Sequence, residues 1–141
     1  MTNMKRVLGI DYGEKNIGLA ISDPFGITAQ GLEIISNRSI ESVFESIQSH
    51  MQHHGIGDFV IGLPLNMNGS EGPAAKRVKE FGSKLHEHFN LPVHYIDERL
   101  TSVQIEKTLI HANVRRKKRR KIKDRLEAVL ILQNYLDKIS P

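Results

Sequence analysis

Apolar positions in this chain fall into short dense runs first and into helically spaced stripes later. Arg6–Tyr12 and Ile17–Ser22 are rich in β-branched and aliphatic residues and are split by a short stretch holding Gly13 and Asn16, which predicts a hairpin. Thr28–Ser36, Asp58–Leu63 and Val93–Asp97 read as three further strands. Ile40, Val43, Phe44, Ile47 and Met51 form one helical stripe, with Ser39 as its N-cap and Gly55 and Gly57 closing it. A second helix is predicted from about Pro73 to Phe89, with Ala74, Val78, Phe81, Leu85 and Phe89 on one face and Pro73 in its first turn. Ser102–Ala112 follows as a shorter helix, where Thr101 and Gln104 suit a capping box. The last, from about Asp124 to Ile139, is apolar nearly all round over Leu126–Leu132, so deep packing is expected.

Three strands in succession, joined by short turns, predict a meander. Later strands that arrive through helices must run parallel. The result is a mixed-sheet α/β fold of five strands flanked by helices, one domain over residues 1–141, and the length suffices for a core without staples.

Composition narrows the chemistry. With no cysteine there is neither a disulfide framework nor a thiolate zinc site. No apolar stretch approaches the ~18 residues of a membrane span, and no signal segment precedes the first strand, so no membrane role and a cytoplasmic location are expected. The net charge of +4 is unevenly placed. Nine of the eleven residues from Arg115 to Arg125 are Lys or Arg, with Asp124 the only acid, whereas the rest of the chain carries 11 basic against 15 acidic residues. Arg115, Arg116, Lys117, Lys118, Arg119, Arg120 and Lys121 therefore suggest a strip that grips a polyanion. A solvated loop serving only solubility is the plainer alternative. Either way nine like charges with little apolar surface predict a mobile segment.

Candidate chemistry gathers at strand ends. Asp11 closes the first strand, and Asp97-Glu98-Arg99 closes the last. In open α/β sheets ligands collect beyond the carboxyl ends of parallel strands. Carboxylates there, with no Cys and no spaced His pair, are hard oxygen donors that suit Mg²⁺ or Mn²⁺. The loop from Gly62 to Ser70 offers Asn66 and glycine-freed amides for phosphate, or it is simply a shaped turn. Arg99 suits a phosphate clamp, or equally a pair with Asp97. Asp124 with Glu127 three residues on also fits a helix cap, which leaves its catalytic role open on residue chemistry alone.

Gly9-Ile10-Asp11-Tyr12-Gly13 with Ile17-Gly18-Leu19-Ala20, then Gly62-Leu63-Pro64-Leu65-Asn66-Met67-Asn68-Gly69, then Asp97-Glu98-Arg99-Leu100-Thr101, then Asp124 before Ala128-Val129-Leu130-Ile131-Leu132, resemble the bacterial YqgF/RuvX family over essentially the whole chain. The resemblance implies a ribonuclease H-like fold related to the RuvC resolvase. It implies a nuclease that processes the 5′ end of precursor 16S ribosomal RNA, or alternatively one that resolves Holliday junctions. By position it makes Asp11, an acid of Asp97-Glu98-Arg99 (Glu98, or Asp97 as its alternate) and Asp124 the catalytic, metal-binding carboxylates. In much of the wider fold an acid follows the fourth strand; here that strand runs into Leu63-Pro64-Leu65-Asn66, so the second carboxylate must come from the fifth. The longer reach of Glu98 favours it over Asp97. Two other classes compete: a non-catalytic RNA-binding factor, and an ATP-dependent phosphotransferase, for whose paired domains 141 residues leave no room. A homodimer is open, since resolving a junction takes two active sites.

Overall fold

The computed structural model describes residues 5–99, 110–113 and 115–140, and at residues 116, 119–121, 123 and 124 the backbone alone. The strands are β1 (Arg6–Asp11), β2 (Asn16–Ser22), β3 (Ala29–Ser36), β4 (Ile56–Leu63) and β5 (Val93–Asp97). The helices are α1 (Ile40–His53) between β3 and β4, α2 (Pro73–Phe89) between β4 and β5, and α3 (Arg116–Ile139) at the end. The helix expected over Ser102–Ala112 lies outside the described residues except at its last positions.

The sheet order is β3-β2-β1-β4-β5. β1 pairs antiparallel with β2, and β2 with β3, which is the meander; β1 pairs parallel with β4, and β4 with β5. Asp11, Leu63 and Asp97 therefore end three neighbouring parallel strands on one edge. Alternation along β1 sends Leu8 and Ile10 to a core beneath α1 and α2, where they meet Phe59, Ile61, Val43, Ile47, Val78 and Leu85. Val7 faces the other way, into a smaller core with Ala20, Val60, Ile96, Ala128, Ile131, Leu132 and Leu136 under α3.

A lane with almost no side chains lets α3 come close. Register places Gly9 beside Ala20, and Ala20 beside Gly31, on three adjacent strands. A Cβ on Gly9 would stand 2.7 Å from Leu132 Cβ and 3.2 Å from the Ala128 carbonyl oxygen. Gln133 anchors the far side: its Oε1 accepts from the Ala29 amide (3.0 Å) and its Nε2 donates to the Ile27 carbonyl (3.0 Å). The polar side chain thus satisfies backbone groups at the start of the edge strand, which would otherwise need water.

Three local expectations are corrected. Ser39 caps α1 as expected, in a box with Ser42, but the helix ends on His54 in extended backbone (φ −135°, ψ 140°), so no glycine cap is used and Gly57 already belongs to β4. On α2 the buried face contains Ala75 with Val78, Phe81, Gly82 and Leu85, not Ala74, because Ala75 stands one turn before Val78 on the stripe axis. The third correction concerns the basic strip. It is not a loop ahead of the last helix but the opening turns of α3, with Arg115 at the N-cap position in extended backbone. Lys and Arg are good helix formers and nothing between Arg115 and Asp124 breaks a helix.

Replacing Gly9 with Ala drives a methyl into α3, whose backbone cannot yield as a flexible side chain would. The expected loss is about 1–3 kcal/mol, read as a lower urea midpoint at unchanged slope. Gly55→Ala is the control: nothing lies within 4 Å of the added carbon, so its midpoint should hold or rise slightly.

Candidate active site at the carboxyl edge of the sheet

Asp11 shares a sheet face with Val7 and Gly9, the face that α3 covers. Its neighbours across the strands are glycines. Gly18 pairs with it on β2, and the parallel register that matches Ile10 with Ile61 continues to set Gly62 beside it on β4. The space above Gly62 is filled from elsewhere: a Cβ there would run into the Glu98 Oε2 and would lie 2.5 Å from the Ile131 Cδ1. Glu98 thus folds its carboxylate back over β4, and its amide reaches the Leu63 carbonyl at 3.3 Å. β4 separates β1 from β5, but with adjacent strands ~4.8 Å apart the Glu98 carboxylate over Gly62 of β4 stands on the same face as Asp11 and one strand away.

Asp97 is placed differently. Ile96 packs into the core under α3, whereas Tyr95 packs toward α1 and α2. Alternation therefore gives Glu98 the face of Ile96 and Asp11, and Asp97 the opposite one. Asp97 is also held by Arg99, which donates Nε to both carboxylate oxygens (3.1 and 2.9 Å), Nη2 to Oδ2 (2.7 Å) and its backbone amide to Oδ1 (3.0 Å). These bonds, first of all the side-chain ones, hold the Asp97 carboxyl below the ordinary aspartate value and raise the Arg99 guanidinium. The remaining Arg99 nitrogen, Nη1, donates to the Met67 carbonyl at 3.1 Å. Of the two readings given to Arg99, the pair with Asp97 is formed.

Asn66 turns its amide inward, donating Nδ2 to Ser70 Oγ at 3.0 Å. Arg115, Lys117 and Lys118 are exposed at the start of α3; the side chains of Arg116, Arg119, Arg120, Lys121 and Asp124 lie outside the described residues. The backbone of Asp124 is helical, one turn before Ala128, which lies over Gly9. Because the helix begins at Arg116, Asp124 stands in its third turn, and the capping explanation for Asp124 and Glu127 falls. Glu127, read from the sequence only as a capping partner, is instead buried at 8% exposure, one turn before Ile131. Its position next to a run of aliphatic residues was the signal available. Among the described residues no three His, Cys, Asp or Glu side chains gather as a metal-binding group, and no helix is long and apolar enough to cross a membrane.

The model of the RuvX family, described as Holliday junction resolvase, matches residues 5–138. The chain belongs to the RuvX family. A relative from Streptococcus thermophilus is 50% identical over 137 residues, covering 95% of this chain and 99% of its own, and bears the name "Putative pre-16S rRNA nuclease". A relative of the same name from Pelotomaculum thermopropionicum is 47% identical over 133 residues, covering 94% and 86%. Among solved structures, Thermus thermophilus RuvC in complex with a Holliday junction substrate superposes with a TM-score of 0.56 at 12% identity, covering 96% of this chain and 95% of that one. The fowlpox virus Holliday junction resolvase gives 0.55 at 14%, covering 96% and 99%. The RuvX chain therefore has the resolvase-type, ribonuclease H-like fold anticipated from its motifs.

The Asp97–Arg99 link has a defined pH range. A carboxyl whose value is lowered on folding contributes stability that is present above the unfolded value and is lost as pH falls through the folded one. The link should hold at neutral pH and open only below the ordinary aspartate value of 3.8. A ¹³C titration of the Asp97 carboxyl should give a midpoint below 3.8, and Arg99→Gln should bring it back up. An unshifted midpoint in the parent protein rejects the pair.

Proposed function

We propose that this chain is a single-domain, divalent-metal-dependent nuclease that processes the 5′ end of precursor 16S rRNA, working in the cytoplasm where that RNA is made. The observation that supports the reading is that Asp11 and the Glu98 carboxylate share one face at the carboxyl edge of the sheet; the helical backbone at Asp124, one turn before the Ala128 that packs on Gly9, is consistent with it. Relatives at half identity named for this activity support the choice of substrate. The donor set is all oxygen and fits Mg²⁺ or Mn²⁺, and the glycine at position 62 leaves the room that the Glu98 carboxylate occupies.

Asp11, Glu98 and Asp124 would hold the cations. When bound, these supply Lewis acidity toward a scissile phosphate. Asp11 is fixed by the central strand, which α3 and the α1–α2 layer bury on both faces. Glu98 is fixed by its amide on β4 and by its seat over Gly62. The basic opening of α3 would hold the phosphate backbone upstream of Asp124. Hydrolysis adds water across one P–O bond and leaves a phosphate on one fragment and a hydroxyl on the other. A second reading, branched DNA, is favoured by the resolvase-type fold and by the description of the family. It would call for two copies acting together.

Two experiments test these roles. Purified protein should trim precursor rRNA in Mg²⁺ or Mn²⁺ and stop in EDTA. Asp11→Asn, Glu98→Gln and Asp124→Asn should each lower cleavage about a thousandfold, the equivalent of several kcal/mol of lost charge stabilisation, while melting temperature holds. Cleavage of a four-way DNA junction but not of the RNA would transfer the reading to resolution, and binding of RNA with full indifference to metal and to all three variants would leave an RNA-binding factor.

The basic strip is tested by salt. If about six phosphates are neutralised on duplex, the slope of log K against log salt should be near −5. Replacing Arg116, Lys117, Arg119 and Arg120 with Ala should flatten it and raise Kd with helix content preserved. An unchanged slope would make the strip a solubility device.

A further inference from the structure

On the side of Asp11 away from Glu98 the strands leave a trough. Register sets Asp11, Gly18 and Ile34 in one row across β1, β2 and β3. Paired residues project from the same face, so Ile34 joins Asp11 on the face that α3 covers. Gly18 puts no side chain between these two walls, which stand two strand spacings, ~9.6 Å, apart. Asn16 lies two residues before Gly18, shares its face and closes the outer end. Asp11, Gly13, Lys15, Asn16, Gly18 and Ile34 line one cavity of about 370 Å³. That is near the small end of the roughly 300–1,000 Å³ of small-ligand sites, which suits one nucleotide unit and not a duplex.

The turn that carries Lys15 is fixed from several sides. Asn37 donates its Nδ2 to the Gly13 carbonyl (2.9 Å) and its amide to the Lys15 carbonyl (2.9 Å). The Tyr12 ring rests against Phe81, with centroids 4.7 Å apart. Glu14, the one acid in the turn, is drawn off to Arg77 of α2 at 3.0 Å. Among the described residues the side chains of Lys15 and Asn16 make no hydrogen bond or ion pair. Opposite Asp11 the cavity therefore offers an uncompensated cation, an amide that both donates and accepts, and an apolar wall in Ile34, which is 41% exposed. A phosphate, a hydroxyl and the carbon face of a sugar match these three in turn.

We propose that this trough seats the nucleotide next to the scissile phosphate, with Lys15 on its outer phosphate, Asn16 on its ribose 2′-hydroxyl and Ile34 against the sugar. The inference rests on the nuclease reading and adds a substrate class to it: the strand at the cut is unpaired RNA. The 2′-hydroxyl is what distinguishes RNA from DNA at such a position, so Asn16 sets the choice of nucleic acid and Lys15 the grip. A turn ordered before the ligand arrives lowers the entropic cost of both contacts.

The probes are a short unstructured RNA oligonucleotide and the DNA of the same sequence. Each is titrated with the full chain in EDTA, so that nothing is cut, and anisotropy is read at several salt concentrations. The parent protein should bind the RNA about two- to tenfold more tightly than the DNA, the range of one hydrogen bond. Asn16→Ala should erase that preference by weakening RNA binding alone, at unchanged salt slope. Lys15→Ala should weaken both probes about tenfold and flatten the log–log slope by about 0.7, one phosphate on a single strand. Lys15→Arg should restore both, and Lys84→Ala, on α2 across the sheet, should change neither. An unchanged slope in Lys15→Ala, an equal loss in Lys84→Ala, an RNA preference that survives Asn16→Ala, or no preference in the parent overturns the proposal. In those cases metal-dependent cleavage of precursor rRNA that Asp11→Asn abolishes leaves the nuclease reading standing. A parent protein that neither binds the RNA nor cleaves it overturns both.

Discussion

The close seat of α3 on the sheet is the constraint from which the rest follows. Gly31, Ala20 and Gly9 form a lane without bulk across three strands, and Ala128 and Leu132 settle onto it. Because that contact is nearly backbone to backbone, it fixes the helix in depth and in rotation. Any larger residue in the lane would raise the helix and with it the spacing between Asp124 and the strand ends. Gln133 then ties the helix to the edge of the sheet, so that its tilt is set from two points.

The same economy of side chains recurs at the carboxyl edge. Asp11 has a glycine on either side, and each makes room. Gly62 admits the Glu98 carboxylate from the neighbouring strand, while Gly18 keeps β2 from crowding Asp11. A carboxylate at the end of a buried strand is unfavourable unless it is bonded or coordinated. The site therefore assembles two acids by removing side chains around them, and the aliphatic wall of Ile131 closes it on the helix side.

Much of this was legible in the chain. The five strands, α1 and α2 follow from hydrophobic period alone, and the parallel return of β4 and β5 follows from the helices between strands. Position also put Asp11 at the end of the first strand, which is where β1 closes. The face of Asp97 and Glu98 was less accessible, because Val93, Tyr95 and Ile96 are all apolar and do not alternate cleanly. Only the packing of Ile96 beneath α3 and Tyr95 against the other core assigns them. The start of α3 was misread for a physical reason: charge repulsion argues for a loop, and Asp124 with Glu127 imitates a cap. The high helix propensity of Lys and Arg prevailed. The bonds within the Asn66–Ser70 loop, and its fastening by Arg99, join residues whose pairing no local pattern encodes.

Continuity of α3 gives the basic segment a phase. A charged loop can be lengthened by a residue and still reach the same polyanion, because its charges average over many directions. Here Arg115–Arg125 shares one helical axis with the face that rests on Gly9, so each backbone position of the strip has a set azimuth around that axis. One inserted residue between the strip and Ala128 would turn the whole array by about 100° and advance it by ~1.5 Å. Sequence drift in this segment is thereby free in composition, Lys for Arg, but locked in length: the chain behaves there less like a brush of charge than like the cut of a key.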